Sequence, residues 1–155
     1  MLPPTSTPTP TPTATPSPSQ TPTPGPLAAG FYTLVPCRVA DTRDGTGPYG
    51  GPALDALTSR DFVMAGRCSI PPEADALAIN VTVTGPTAGG HLTIHQAGVP
   101  LPVASTINYR AGQTRANNAI VPLGTNDSIV VFSGQPSGTT HFLIDVVGYF
   151  RFTGP

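Results

Sequence analysis

Few side chains in this sequence have chemistry to offer. Asp41, Arg43 and Asp44 make its densest charge cluster. Two carboxylates brought together by folding can divide the roles of acid and base. Glu73 is the only glutamate, so glycoside hydrolysis would fall to aspartates, with Asp41 and Asp145 as the pair. Carboxylates at 41 and 44 also suit a hard cation such as calcium, but their spacing matches no calcium loop. The competing use is structural. Arg43 beside them predicts an ion pair with Asp145 or Asp41, and a buried carboxylate needs such a partner. The expectation is that ion pair, with no catalytic residue, no metal and no cofactor.

Cys37 and Cys68 are the only cysteines. In an oxidising compartment they predict one disulfide closing a loop of roughly thirty residues, worth ~3 kcal/mol by chain entropy. Zinc would need further ligands, and His91, His95 and His141 supply no recognisable spacing. Tyr49 is the one large side chain in Gly45–Pro52, a loop of turn formers. Exposed there, it is a candidate platform for a sugar ring; packed down, it only anchors the loop. There is no Gly-Xaa-Ser-Xaa-Gly elbow, no phosphate-cradling loop before a helix and no metalloprotease His-Glu pair. An enzyme is therefore not expected.

The elements that must position these groups divide the chain in two. Residues 1–26 are almost wholly Thr, Pro and Ser, with strict alternation at Thr7 to Pro12 and Thr21 to Pro24. Proline fixes φ and restricts its predecessor, so polyproline II or a strand-like extended form is the regular option, spanning roughly 80 Å at about 3.1 Å per residue. Proline at every second position removes donors from one side of an extended chain only. Such a tail can pair with one sheet edge and refuse a second, which makes it a candidate connector between copies. Its hydroxyls at Thr7, Thr9, Thr11, Thr13, Thr15, Thr21 and Thr23 are O-glycosylation candidates on a stalk.

Residues 27–155 are expected to form one all-β domain, an antiparallel β-sandwich or jelly roll of about eight or nine short strands. Two apolar strands form its middle. Leu77 to Thr84 places Leu77, Ile79, Val81 and Val83 on one face. His141 to Phe150 places Phe142, Ile144, Val146 and Phe150 on one face, with both faces apolar enough to be covered. Turn formers at 85–90 predict a hairpin from the first of these to a strand at His91 to Gln96, with His91, Thr93 and His95 facing solvent. A helical turn is expected at Ala53 to Leu57, a turn-like stretch over Arg110 to Asn117, and a strand at Asn118 to Leu123. The triplets at Asn80 and Asn126 read as a strand residue and a turn residue, not as glycan acceptors.

Charge is sparse, at 10% of residues, with net charge -1 and every basic residue an arginine. No basic stripe exists for nucleic acid, and no apolar run is long enough to span a membrane. Met1-Leu2 leads straight into Pro3-Pro4 without a leader, so a processed form or a piece of a longer precursor is expected.

Several stretches together resemble a known domain. They are Pro36-Cys37-Arg38-Val39-Ala40-Asp41-Thr42-Arg43, Asn80 to Thr84, Ser105 to Tyr109, Ala116 to Ala119, and Asp145-Val146-Val147-Gly148-Tyr149-Phe150. The sequence is similar to a poorly characterised β domain of bacterial secreted and cell-surface proteins, matching most of Phe31 to Phe150. The resemblance implies a β fold and an extracellular location, and carries no catalytic residues. The expected function is an extracellular structural subunit of a cell-surface fibre or layer. It would carry covalent glycan and self-associate through the tail or sheet edges. The alternative is a carbohydrate-binding or adhesion module on a Thr/Pro stalk, which the lack of tryptophan disfavours.

Overall fold

A computed structural model describes residues 28–45 and 47–153. The Thr/Pro segment and all seven candidate glycan-bearing threonines lie outside them. Among the described residues, nine strands form two antiparallel sheets packed as a sandwich. In the first sheet the order is β1 (Ala28–Asp41), β9 (Thr139–Thr153), β4 (Ala76–Thr84), β7 (Arg115–Pro122), and β2 (Leu54–Asp55) pairs with the start of β9. In the second the order is β3 (Ser59–Val63), β8 (Ser128–Ser133), β5 (Gly90–Gln96), β6 (Ile107–Tyr109).

The two expected central strands, β4 and β9, are neighbours. Leu77, Ile79, Val81 and Val83 of β4 and Phe142, Ile144 and Val146 of β9 are buried, as are Ile129 and Val131 of β8 and Phe62 of β3. Each such side chain contributes about 1.5–3 kcal/mol on burial. Phe62 and Phe142 meet edge to face at 5.7 Å and join the two sheets.

Several expectations are corrected. First, Phe150 does not share the face of Phe142. Ile79 pairs with Val146 but Ala78 with Gly148, so Val147 is an extra residue in β9. This bulge reverses the alternation beyond it. Tyr149 turns inward and stacks on Tyr32 at 5.0 Å, and Phe150 turns outward against Phe31 at 4.9 Å. Gly148 is required there: a Cβ would lie 2.5 Å from the Phe31 ring and 2.7 Å from the Tyr32 carbonyl oxygen. Second, β9 is not covered on both sides, because Val147 is exposed.

Third, β4 and β5 are not a hairpin, for they lie in different sheets. The turn at 85–89 is a crossing, pinned where the Thr139 amide donates to Thr87 Oγ1 at 2.9 Å and the Thr87 amide to the Thr139 carbonyl at 3.0 Å. Fourth, the helical turn at 53–57 is instead β2 followed by a tight turn at 56–57, and the strand expected from Asn118 already begins at Arg115. His91 and His95 are half-buried, and Thr93 is buried beneath the loop whose Ala104 carbonyl it donates to.

Candidate functional site

The charge cluster is a clasp across β1 and β9. Arg38 and Asp145 are direct partners in the register. Arg38 donates from Nε to Asp145 Oδ1 at 2.8 Å and from Nη2 to Oδ2 at 3.1 Å, the fork geometry that suits a guanidinium to a carboxylate. Its Nη1 reaches Asp41 Oδ2 at 3.2 Å. Arg43 donates to the same carboxylate, from Nε at 2.8 Å, Nη2 at 2.6 Å and its backbone amide at 3.1 Å.

The expected set Arg43, Asp41 and Asp145 is thus brought together, with one correction. Asp145 pairs with Arg38, while Arg43 takes Asp41 and leaves its own side chain half exposed. Only the strand register reveals the role of Arg38, because 107 residues separate it from Asp145.

The Asp41 side chain is 7% exposed. The Arg43 hydrogen bonds, aided by Arg38, outweigh desolvation and hold its carboxyl down at about 2. The same bonds raise Arg43, and the bond to Asp145 raises Arg38. A general acid for glycoside hydrolysis needs the opposite, a carboxyl held protonated near neutral pH. Both carboxylates are instead engaged by guanidinium groups.

Tyr49 sits at the rim of this clasp, in a shallow depression that also includes Asp44, Gly50 and Arg67. Its hydroxyl donates to the Val63 carbonyl at 2.7 Å, and its carbonyl accepts from the Asp41 amide at 2.9 Å. The Arg67 guanidinium lies 3.5 Å from the ring centroid, and Phe62 approaches at 6.0 Å. The ring already serves as a cation–π platform for Arg67, which a sugar would have to displace or incorporate. Tyr49→Phe is expected to lose about 1 kcal/mol of stability with its hydroxyl bond, read as a lowered midpoint in urea. An unchanged midpoint would show that this bond does not anchor the loop.

Arg67 is placed by its neighbour. The Cys37–Cys68 disulfide, with Cα atoms 5.7 Å apart, ties β1 to the turn after β3. It brings Arg38 and Arg67 to the same depression. The Arg67 contact had no sequence signal beyond adjacency to a cysteine.

The other distinctive surface is the outward face of the first sheet. The register places Pro122, Ala76, Phe150 and Phe31 in one row across the four strands, and Ile120, Ala78, Gly148 and Thr33 in the next. On this half, Phe31 is 49% exposed, Ile120 65%, Val147 39% and Phe152 47%. The next row is polar, Asn118–Asn80–Asp145–Arg38, and the one after it, Ala116–Thr82–Leu143–Asp41, is mixed. Ala78, Asn118, Ile120 and Val147 line a groove where the two halves meet.

Among the described residues, no three His, Cys, Asp or Glu side chains are grouped to hold a metal ion, and no helix is long and apolar enough to cross a membrane. No family model and no curated protein matches the chain. Among solved structures, the Tobacco streak virus coat protein dimer is similar in fold, at 8% identity and a TM-score of 0.40, covering 82% of this chain and 86% of that one.

Proposed function

We propose that this protein is an extracellular structural subunit, a glycosylated β-sandwich of a cell-surface fibre or layer in which the Thr/Pro segment connects copies. The observation that carries this reading is the half-apolar outer face of the first sheet. Phe31, Val147, Ile120 and Phe152 crowd one side of one sheet, and contiguous exposed apolar surface of this kind marks contact with another macromolecule. The disulfide fits an oxidising compartment. The resemblance of the Cys37 to Arg43 and Asp145 to Phe150 stretches to bacterial surface domains supports the same location. A surface with so little charge also needs another source of solubility, which glycan on the tail threonines would supply.

Electron microscopy of native material, paired with intact mass, tests the reading. Filaments or sheets together with mass in excess of the sequence are expected. Single particles of sequence mass would overturn it and return the tail to a plain linker.

A further inference from the structure

The prolines of the tail keep one phase. From position 4 onward they stand at 4, 8, 10, 12, 16, 18, 22, 24 and 26, all even. Every odd position from 5 to 25 holds Thr, Ser or Gly and keeps its amide N–H. The interruptions at Ser6, Ala14 and Gln20 preserve the phase. Polyproline II repeats every three residues and gives no reason for a period of two. A β-strand does. In an extended chain the N–H and C=O of one residue point to the same side, and successive residues alternate. The odd side of this segment therefore offers a full set of donors and acceptors, while the even side lacks most of its donors.

The sandwich has one edge suited to receive it. β1 is an edge strand, but register shifts between Thr33 and Cys37 and between Arg38 and Ala40 break its line. β3 is five residues long and carries Arg60 and Asp61, and β6 has three residues. Bulges, charges and shortness are the ordinary protections of an edge. β7 is neither short nor bulged, and its single charge stands at its first residue. Its eight residues, Arg115–Pro122, pair with β4 without a register shift, and β4 is its only strand partner among the described residues. Arg115 is its one charge, and proline appears only at its last position. Its side chains are exposed at 115–118 and at Ile120. Asn117 Nδ2 and Arg115 Nη1 donate to the Thr106 and Asn108 carbonyls at 2.8 and 3.1 Å, bracing the strand against the second sheet.

We propose that the Thr/Pro tail of a second copy of this chain adds as a strand to the free edge of β7, through the amides of its odd-numbered residues. The inference rests on the fibre reading above and names its joint. The tail joins the domain at Ala28, on β1, and β1 and β7 are opposite edges of the same sheet. Donor and acceptor on opposite edges make a head-to-tail contact, the kind that propagates as an open filament when its rotation does not close a ring. The tail, about 80 Å when extended, exceeds the width of a domain of this size, so it reaches a neighbour with residues to spare. The proline phase restricts register to steps of two, because a one-residue slip would turn donor-free positions toward β7. It also leaves the far side of the added strand unable to recruit another. The threonine side chains share one face of that strand, where glycan leaves the ladder undisturbed.

Hydrogen exchange of the full chain over a concentration series tests this. The amides of β7 and of the odd tail residues are expected to become protected together, by about tenfold or more, as concentration rises. Thr9→Pro with Thr11→Pro and Thr13→Pro removes pairing donors from a segment that stays extended, and should abolish both protection and assembly. Pro8→Thr with Pro10→Thr and Pro12→Thr should retain both. Assembly with β7 unprotected, or assembly of the Thr→Pro variant, would overturn the joint and leave the fibre standing. Protection independent of concentration would assign the edge to the chain's own tail and overturn the proposal. A chain monomeric at every concentration would remove fibre and joint together.

Discussion

Cys37→Ser combined with Cys68→Ser is expected to lower the unfolding free energy by about 3–4 kcal/mol, the loop entropy released when a link across 31 residues is removed. In a domain of this size that corresponds to a fall in Tm of roughly 10–15 °C. The bond joins the first sheet to the turn that follows β3 of the second. Cys37, on β1, pairs with Val146 of β9, and Cys68 lies in a tight turn where Cys68 and Ser69 have φ of 48° and 61°. The oxidised protein, the protein in reductant and the double variant should fall into two groups by thermal melting, with the last two coinciding. A shift below about 1 kcal/mol would mean that the β1 pairing and the Phe62–Phe142 contact already confine the loop in the unfolded ensemble.

Asp41→Asn is expected to cost about 2–3 kcal/mol at neutral pH, because it turns an amide toward two guanidinium groups in a nearly buried position. The pH dependence gives an independent measure. The Asp41 carboxyl is depressed in the folded protein, from an ordinary value of 3.8 to about 2. A depressed carboxyl contributes stability that is fully present above its unfolded value and disappears as pH falls through its folded value. The wild type should therefore lose about 2 kcal/mol between pH 5 and pH 2 on account of this group. Urea unfolding at several pH values should show that slope in the wild type and its near absence in the variant. An equal acid slope in both would assign acid sensitivity to other carboxylates.

The parts of this fold that the sequence makes visible are those decided by a single strand. Leu77 to Val83 and Phe142 to Val146 alternate strongly enough to declare a buried face, and they are the two central neighbours. Two cysteines with nothing else to bind declare a disulfide. What stays hidden depends on pairs of strands. The Val147 bulge exists only relative to Ala78 and Ile79, so it could not be read from β9 alone. The partner of Asp145 is set by register, which selected Arg38 over the Arg43 that sequence proximity favoured.

The turn formers at 85–89 look the same whether the chain returns within a sheet or crosses to the other. The difference lies in Thr87 being fastened to Thr139, 52 residues away. Arg115 to Asn118 showed no strand signal because both of their faces are exposed, and an edge strand without a buried face has no alternation to display. Tyr49 is legible in the sequence as the loop's one large side chain. That its ring holds Arg67 follows from the position of Cys68, a fact of the folded chain.

The placement of that disulfide also has a mechanical meaning. A load pulling outward on the tail is applied at Ala28, the first residue of an edge strand whose pairing begins at Thr153. Edge hydrogen bonds loaded this way yield one after another, and β1 would peel from β9 through Thr33. The next paired residue is Cys37, and it is covalently held to Cys68. Peeling stops there, and tension passes through the sulfur bridge to the turn after β3 and so to the second sheet. The domain would then stretch by one short strand segment under load and become stiff, with the clasp of Arg38, Asp41 and Asp145 lying on the protected side of the stop.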